Sequence, residues 1–182
     1  MMKQVKLSNN IKTLVKTRHF KFTVIIAAAT LVTVSLLLNL FTYGISFVRY
    51  YGSGMEPALS SGQVLLVQRT NRVSQGDIVA FYYNNKVLVR RVIAEGGDTL
   101  QIDSSGTVSV NGEVLDEPYA ESKSLGQCNI DFPYIVNADS FFVMGDSRAV
   151  AMDSRLKEIG TISTDRIIGR VVFSIIPFKS VG

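Results

Sequence analysis

The hydrophobic and polar positions of this chain divide it into two stretches with different rhythms. Residues Thr23 to Tyr43, "TVIIAAATLVTVSLLLNLFTY", carry no charge, and no charged residue occurs between Lys21 and Arg49. No polar face recurs at helical period in this run, so it does not read as the amphipathic helix of a soluble core. Its 21 residues make a helix of about 31 Å at roughly 1.5 Å per residue, close to the hydrocarbon thickness of a bilayer. The pattern therefore predicts a transmembrane anchor over residues 23–43. A cleaved secretory signal is the alternative, but such signals have apolar runs of only roughly 7–15 residues. The small-residue cluster Ala27-Ala28-Ala29 also lies near the start of the run rather than after it.

From Gly62 onward the rhythm becomes that of strands. "QVLLVQR", "DIVAFYY", "VLVRRVIA" and "TLQID" are short runs rich in Val, Ile, Leu and Tyr, separated by Asn, Gly, Ser and Asp, a pattern of strands and turns. Hairpin connections are expected at Asn84-Asn85, Ser104-Ser105-Gly106 and Asn111-Gly112, where Asn and Gly tolerate positive φ. Residues 119–134 are the least regular and read as a long surface excursion. "SFFVMGDSR" predicts a strand entering a turn. "RIIGRVVFSIIPF" predicts a closing strand, too short for a second span and interrupted by Arg170. The expected fold class is mainly β: one antiparallel domain over residues 44–182, built of small sheets or a partly closed barrel, following one N-terminal transmembrane helix.

Charge sets the orientation. Residues 1–22 hold Lys3, Lys6, Lys12, Lys16, Arg18 and Lys21 and no acidic residue. The whole chain has 19 Lys and Arg against 15 Asp and Glu, so the rest has 13 basic and 15 acidic groups, a net of −2. The overall basicity thus comes from the tail, and nothing points to a nucleic-acid partner. Basic flanks stay cytoplasmic, which predicts a cytoplasmic tail over 1–22, a single-pass anchor in the cell membrane with the bilayer as partner, and an extracytoplasmic domain.

Candidate chemistry is narrowed by what is scarce. The one histidine, His19, lies in the tail, which leaves no His-dependent triad and no His metal site in the outer domain. Cys128 is the lone cysteine and excludes an internal disulfide. No metal and no cofactor are expected.

Four segments, in order, carry a family likeness: "GSGMEPAL" (Gly52 to Leu59), "GDIVAF" (Gly76 to Phe81), "VLVRRVIAEGGD" (Val87 to Asp98) and "FFVMGDSRAVAMDSR" (Phe141 to Arg155). They resemble the blocks of type I signal peptidases, whose patterns are G-x-S-M-x-P-T-L, G-D-x-V-x-F, a strand with K-R-V-I-x-x-x-G-D, and G-D-N-R-x-x-S-x-D-S-R. "RIIGRVVF" also fits that family's final strand. The resemblance implies a signal-peptidase-like antiparallel β fold and a serine nucleophile with a lysine general base, cutting preproteins outside the membrane. Such a dyad needs a lysine whose pKa burial has drawn down towards about 7–8.

Carried over residue by residue, the likeness fails at the chemistry. The nucleophile position falls on Gly54, the base on Arg90, the lysine-orienting serine on Ala151, and the Asn of the last block on Ser147. The structural motif is kept at Gly145, Asp146, Arg148, Asp153, Ser154 and Arg155. A guanidinium of pKa about 12.5–13.8 would need about 8 kcal/mol to act as a base near pH 7, so Arg90 cannot replace the lysine. Ser53 is one position early, and in an extended segment a one-residue shift turns a side chain to the opposite face. Lys86 would lie about 13 Å away, at roughly 3.3 Å per residue.

The resemblance then implies a peptide-binding cleft formed by Gly52, Ser53, Gly54, Met55, Glu56, Pro57, Val87, Leu88, Val89 and Arg90, able to hold an extended chain through its backbone. Arg90 is either a donor fork in that cleft or half of an ion pair with a nearby carboxylate. Most similar are the signal-peptidase-like pilus-assembly chaperones of Gram-positive bacteria, which lack the dyad. The reading this implies is a non-enzymatic, membrane-anchored homologue whose client is a pilin subunit, a sortase, or both. The alternative is an active signal peptidase with a rearranged dyad, and a third possibility is a subunit that modulates another signal peptidase.

Overall fold

The computed structural model describes residues 2–70, 72–176 and 178–180. Met1 of the basic tail and Pro177 of the expected closing strand lie outside the described residues, as do Asn71, Val181 and Gly182. The chain forms two units, one ending at Tyr43 and the other starting at Gly44.

The first unit is helix α1, Met2–Asn39, followed by a π-helical turn, Leu40–Gly44, that leads into the second unit. Neither Pro nor Gly interrupts residues 2–39, so the basic segment and the apolar run form one helix rather than two segments. Its apolar part runs from Phe20 to Gly44, 25 residues, or about 37 Å at 1.5 Å per residue, which is long enough to cross a bilayer. Two of its polar groups are satisfied internally. The Thr30 and Thr33 hydroxyls donate to the carbonyls of Ala27 and Ala29, each at 2.8 Å, which removes donors that an apolar surrounding would leave unpaired.

The second unit holds two antiparallel sheets. The larger contains β1 (Ile45–Arg49), β2 (Val64–Gln68), β3 (Ile78–Tyr83), β4 (Lys86–Glu95), β9 (Ser140–Met144), β10 (Ile162–Ser163), β11 (Ile167–Ile176) and β12 (Phe178–Ser180). Its order is β1-β2-β11-β3-β4-β9-β10, with β12 folded back on β11. The smaller contains β5 (Thr99–Ile102), β6 (Val108–Val110), β7 (Glu113–Val114) and β8 (Tyr134–Ile135), in the order β7-β6-β5-β8. The expected turns form where placed: Asn84 and Asn111 adopt φ of 49° and 53°, and Gly112 follows at 86°. The 119–134 excursion reaches β8 without regular structure of its own. The expected closing strand, β11, does not close an edge. It lies between β2 and β3, paired with both.

Strand β4 organises the interior. Val89 belongs to a buried cluster with Tyr50, Met55, Leu59, Leu65 and Val67. Ile93 and Ala94 belong to a second cluster that joins the sheets through Leu100, Val108 and Phe142. Val92 joins a third with Phe81, Val143 and Ile162. On one side β4 pairs with β3 along residues 86–91. On the other it pairs with β9 only from Arg91 to Glu95. Among the described residues, the second edge of β4 over residues 86–90 therefore has no strand partner.

Candidate functional site

Gly54, Arg90 and Ala151 come from three separate segments and meet at the unpaired edge of β4. A Cβ built on Gly54 would lie 3.2 Å from Arg90 Nη2, 3.4 Å from Arg90 Cζ and 3.4 Å from the Ala151 Cβ. The guanidinium thus sits against the space that a side chain at position 54 would take. Smaller and larger residues have exchanged volume: Gly54 makes room, and Arg90 reaches into it.

Two anchors hold the loop that carries Gly54. The Met55 amide donates to the buried Tyr50 hydroxyl at 3.0 Å, and the Ser147 amide donates to the Gly54 carbonyl at 3.2 Å. Burial, above all, pushes the Tyr50 hydroxyl pKa up, which keeps it neutral as an acceptor. The segment 52–58 is a series of bends and turns rather than a strand, so strand alternation does not govern Ser53. Its position does: Ser53 is exposed while Gly54 and Met55 are buried, because Met55 is drawn into the core beside Val89. Gly52, Glu56 and Pro57 are exposed on the same loop. Val87 is exposed, and Leu88 packs against the third cluster rather than towards Gly54. Lys86 is exposed at the far end of β4, paired with Tyr83.

Arg90 is 7 % exposed. Nε donates to the Met152 carbonyl at 2.9 Å and Nη1 to the Val89 carbonyl at 2.6 Å. The ion pair that was one expectation for Arg90 does not form: among the described residues no carboxylate lies within 4.0 Å of it. Burial is the main influence on its pKa and lowers it below the usual arginine range, with Asp153 the foremost opposing charge. A guanidinium nevertheless stays protonated in a protein.

The neighbouring arginines are all paired. Arg91 makes a bidentate pair with Asp146, at 2.9 and 2.7 Å. Arg155 is bidentate to Asp153, at 2.8 Å on each oxygen, and Asp153 also accepts from the Gly145 amide at 2.9 Å. Arg148 donates to the Gly145 carbonyl at 3.0 Å and pairs with Glu117 at 2.6 Å. Tyr119 is stacked under Arg91, whose Cζ is 4.0 Å from the ring centroid. Burial is the chief cause that pushes the Tyr119 hydroxyl up, with Glu117 adding to it. Ser154 Oγ accepts from the Val143 amide at 3.0 Å. These bonds fix the loop after β9 against the Gly54 loop. Glu117 and Tyr119 are partners that the sequence reading missed. A charge count gives the signal for one: Arg91, Arg148 and Arg155 have two motif aspartates between them, so a third acid must come from elsewhere.

The exchange of volume at Gly54 and Arg90 is testable by a double-mutant cycle. Gly54→Ser alone is expected to cost about 1–2 kcal/mol, because the guanidinium and the Ala151 methyl must shift. In an Arg90→Lys background that cost should shrink, with a coupling of about 1 kcal/mol, read from urea denaturation of the full chain. Additive effects would mean that the two side chains do not share the space.

A hollow of about 450 Å³ lies elsewhere, lined by Gln75, Glu95, Asp98, Asn111 and Glu113 among others. Two of its carboxylates are already engaged: Asp98 accepts from the Glu95 amide and Asn111 Nδ2, and Glu95 from the Gln75 amide. Among the described residues no group of three His, Cys, Asp or Glu could hold a metal ion.

The family model "Signal peptidase, peptidase S26" matches residues 19–176. Signal peptidase I T of Bacillus subtilis (strain 168) is 34% identical over 163 residues, covering 81% of this chain and 83% of that protein. Signal peptidase IB of Staphylococcus aureus (strain N315) is 31% identical over 149 residues, covering 70% and 76%. Among solved structures, a signal peptidase I from Enterococcus faecalis V583 aligns with a TM-score of 0.46 and 23% identity, covering 54% of this chain and 96% of the other.

Proposed function

The chain belongs to the signal peptidase family, peptidase S26, and on that premise we propose that it is a membrane-anchored member that binds a protein client without cutting it. One observation carries this reading. The three residues that meet at the candidate centre, Gly54, Arg90 and Ala151, offer no hydroxyl and no titratable amine. In a serine protease whose nucleophile was removed, turnover fell by on the order of 10⁶, so binding is the capacity that remains. The free edge of β4 over 86–90 beside the 52–57 loop can take an extended chain by main-chain pairing, which needs no nucleophile.

The client that the resemblance implies is a pilin subunit, a sortase, or both, engaged on the outer face of the cell membrane, with the basic N-terminus of α1 inside. The second reading, an active peptidase using Ser53, has little geometry behind it. Ser53 is exposed, and Lys86 is exposed at the other end of β4.

Full chain in lipid nanodiscs, mixed with a preprotein, is expected to release no mature product above a protein-free control. Product that forms and then disappears in Ser53→Ala would overturn the proposal in favour of a rearranged dyad. Co-purification from membranes is expected to bring pilin or sortase, whereas an active signal peptidase in their place would favour a modulating subunit.

A further inference from the structure

Four arginines lie buried around this site, and one of them is electrically unbalanced. Arg91, Arg148 and Arg155 each hold a carboxylate oxygen at 2.6–2.8 Å. Arg90 holds none, although it is 7 % exposed. A guanidinium has five N–H donors. Two of Arg90's are engaged by carbonyls, which leaves Nη2 without a protein partner among the described residues and within reach of solvent. A largely buried cation with no carboxylate in contact is unfavourable, and a fitted anion offsets that cost.

We propose that Arg90 is a carboxylate-binding residue that takes an acidic group of the bound client peptide, either an Asp or Glu side chain or a terminal carboxylate. The inference rests on the client-binding reading for the source of that group. The placement is specific. Nη2 points at the position that a Gly54 side chain would occupy, and the other neighbour there is the methyl of Ala151, so no polar side chain of these two positions competes for it. The surrounding acids are already committed: Asp146 to Arg91, and Asp153 to Arg155 and the Gly145 amide. Glu56 stands exposed on the adjacent loop.

An extended peptide along the free edge of β4 would project alternate side chains to one face, which brings one of them past Arg90. Val150 and Met152, 58% and 54% exposed, flank Ala151 and offer apolar contact beside the charge. A carboxylate is favoured over a neutral carbonyl, because only a charged acceptor offsets the unbalanced cation. The residues that would have cut a peptide are thereby replaced by residues that hold one.

The test uses two probes on the full chain in zwitterionic lipid nanodiscs. The first titrates sodium acetate against acetamide at constant ionic strength, following the Arg90 Nε–H resonance in protein labelled with ¹⁵N-arginine. Acetate is expected to shift it saturably and to bind at least tenfold tighter than acetamide, while Arg155 stays unmoved as a control for folding. Acetate and acetamide acting alike would overturn the proposal. The second probe is an extended peptide of alternating Val and Thr with a central Glu, its Gln counterpart, and each as a C-terminal acid and amide. A tenfold preference for Glu assigns the side chain as the source, and a preference for the acid over the amide assigns the terminus. In Arg90→Gln either preference should vanish. Acetate binding without any peptide binding would overturn the client reading alone. Peptides that bind with no preference for a carboxylate would overturn the role of Arg90 alone.

Discussion

Replacing Gly145 by alanine is expected to lower the stability of the β domain by about 3 kcal/mol or more. Gly145 follows β9, and both of its backbone groups are occupied: its amide donates to Asp153 at 2.9 Å, and its carbonyl accepts from Arg148 at 3.0 Å. A Cβ at this position would overlap the Ala151 Cβ and the Gly54 carbonyl oxygen. The Ala151 methyl belongs to a short loop that could shift. The Gly54 carbonyl is backbone, tied to the Ser147 amide at 3.2 Å, and moving it drags Met55 out of the first core cluster. The clash therefore has no flexible side chain to absorb it. A drop of roughly 10 °C in Tm follows from the usual scaling for domains of about this size, read by differential scanning fluorimetry. Gly54→Ala is the internal control, since its Cβ would meet only contacts of 3.2–3.4 Å, and it should lose much less. A Gly145→Ala variant within about 2 °C of the parent would show that the two loops are less tightly joined than the bond network implies.

What could be read from the residues, and what could not, follows the range of the forces involved. The N-terminal apolar helix and the strands β2 to β5, β9 and β11 were legible because an uncharged run and short Val- and Ile-rich runs between turn residues are local signals. Strand β1 was not, since only Gly44 separates Ile45–Arg49 from the apolar run before it, and the five residues are too few to show a period of their own. Strands β8 and β10 have two residues each, too few to show a period. The insertion of β11 between β2 and β3 depends on pairing over about a hundred residues, which no local pattern encodes.

The site divides in the same way. The positions Gly54, Arg90 and Ala151 were found by motif spacing, and the fold brings them together. Two features could only come from packing. One is that the Arg90 guanidinium lies against the space vacated at Gly54. The other is that Arg90 is left without a carboxylate while its neighbours are paired. Asp153 is the carboxylate whose charge acts most strongly on Arg90, but its two oxygens already serve Arg155 and Gly145.

That occupancy makes Asp153→Asn the second large effect, with an expected loss of about 3–5 kcal/mol. Asp153 and Arg155 are both 0% exposed. Asp153 Oδ1 accepts from the Arg155 amide and Nε, and Oδ2 from Arg155 Nη2 and the Gly145 amide. Asparagine keeps the shape but supplies one acceptor where four donors converge, and its amide N–H₂ would face donors. The charge lost is also the one that acts most strongly on Arg90. Two buried guanidinium groups would then share a region with no adjacent anion of their own, so Arg90 should become less tolerant of burial as well. A partly exposed pair provides the contrast. Arg170 and Asp77 approach only to 3.6 Å, with side chains 41% and 23% exposed, and breaking such a pair should cost less than about 1 kcal/mol. Urea denaturation of Asp153→Asn and Arg170→Gln separates the two cases. Adding 1 M salt should leave the Asp153 effect nearly unchanged and erase most of the Arg170 effect, because screening reaches exposed charges and not buried ones. An Asp153→Asn loss that is small, or that salt removes, would mean that water reaches the Asp153–Arg155 pair and screens it.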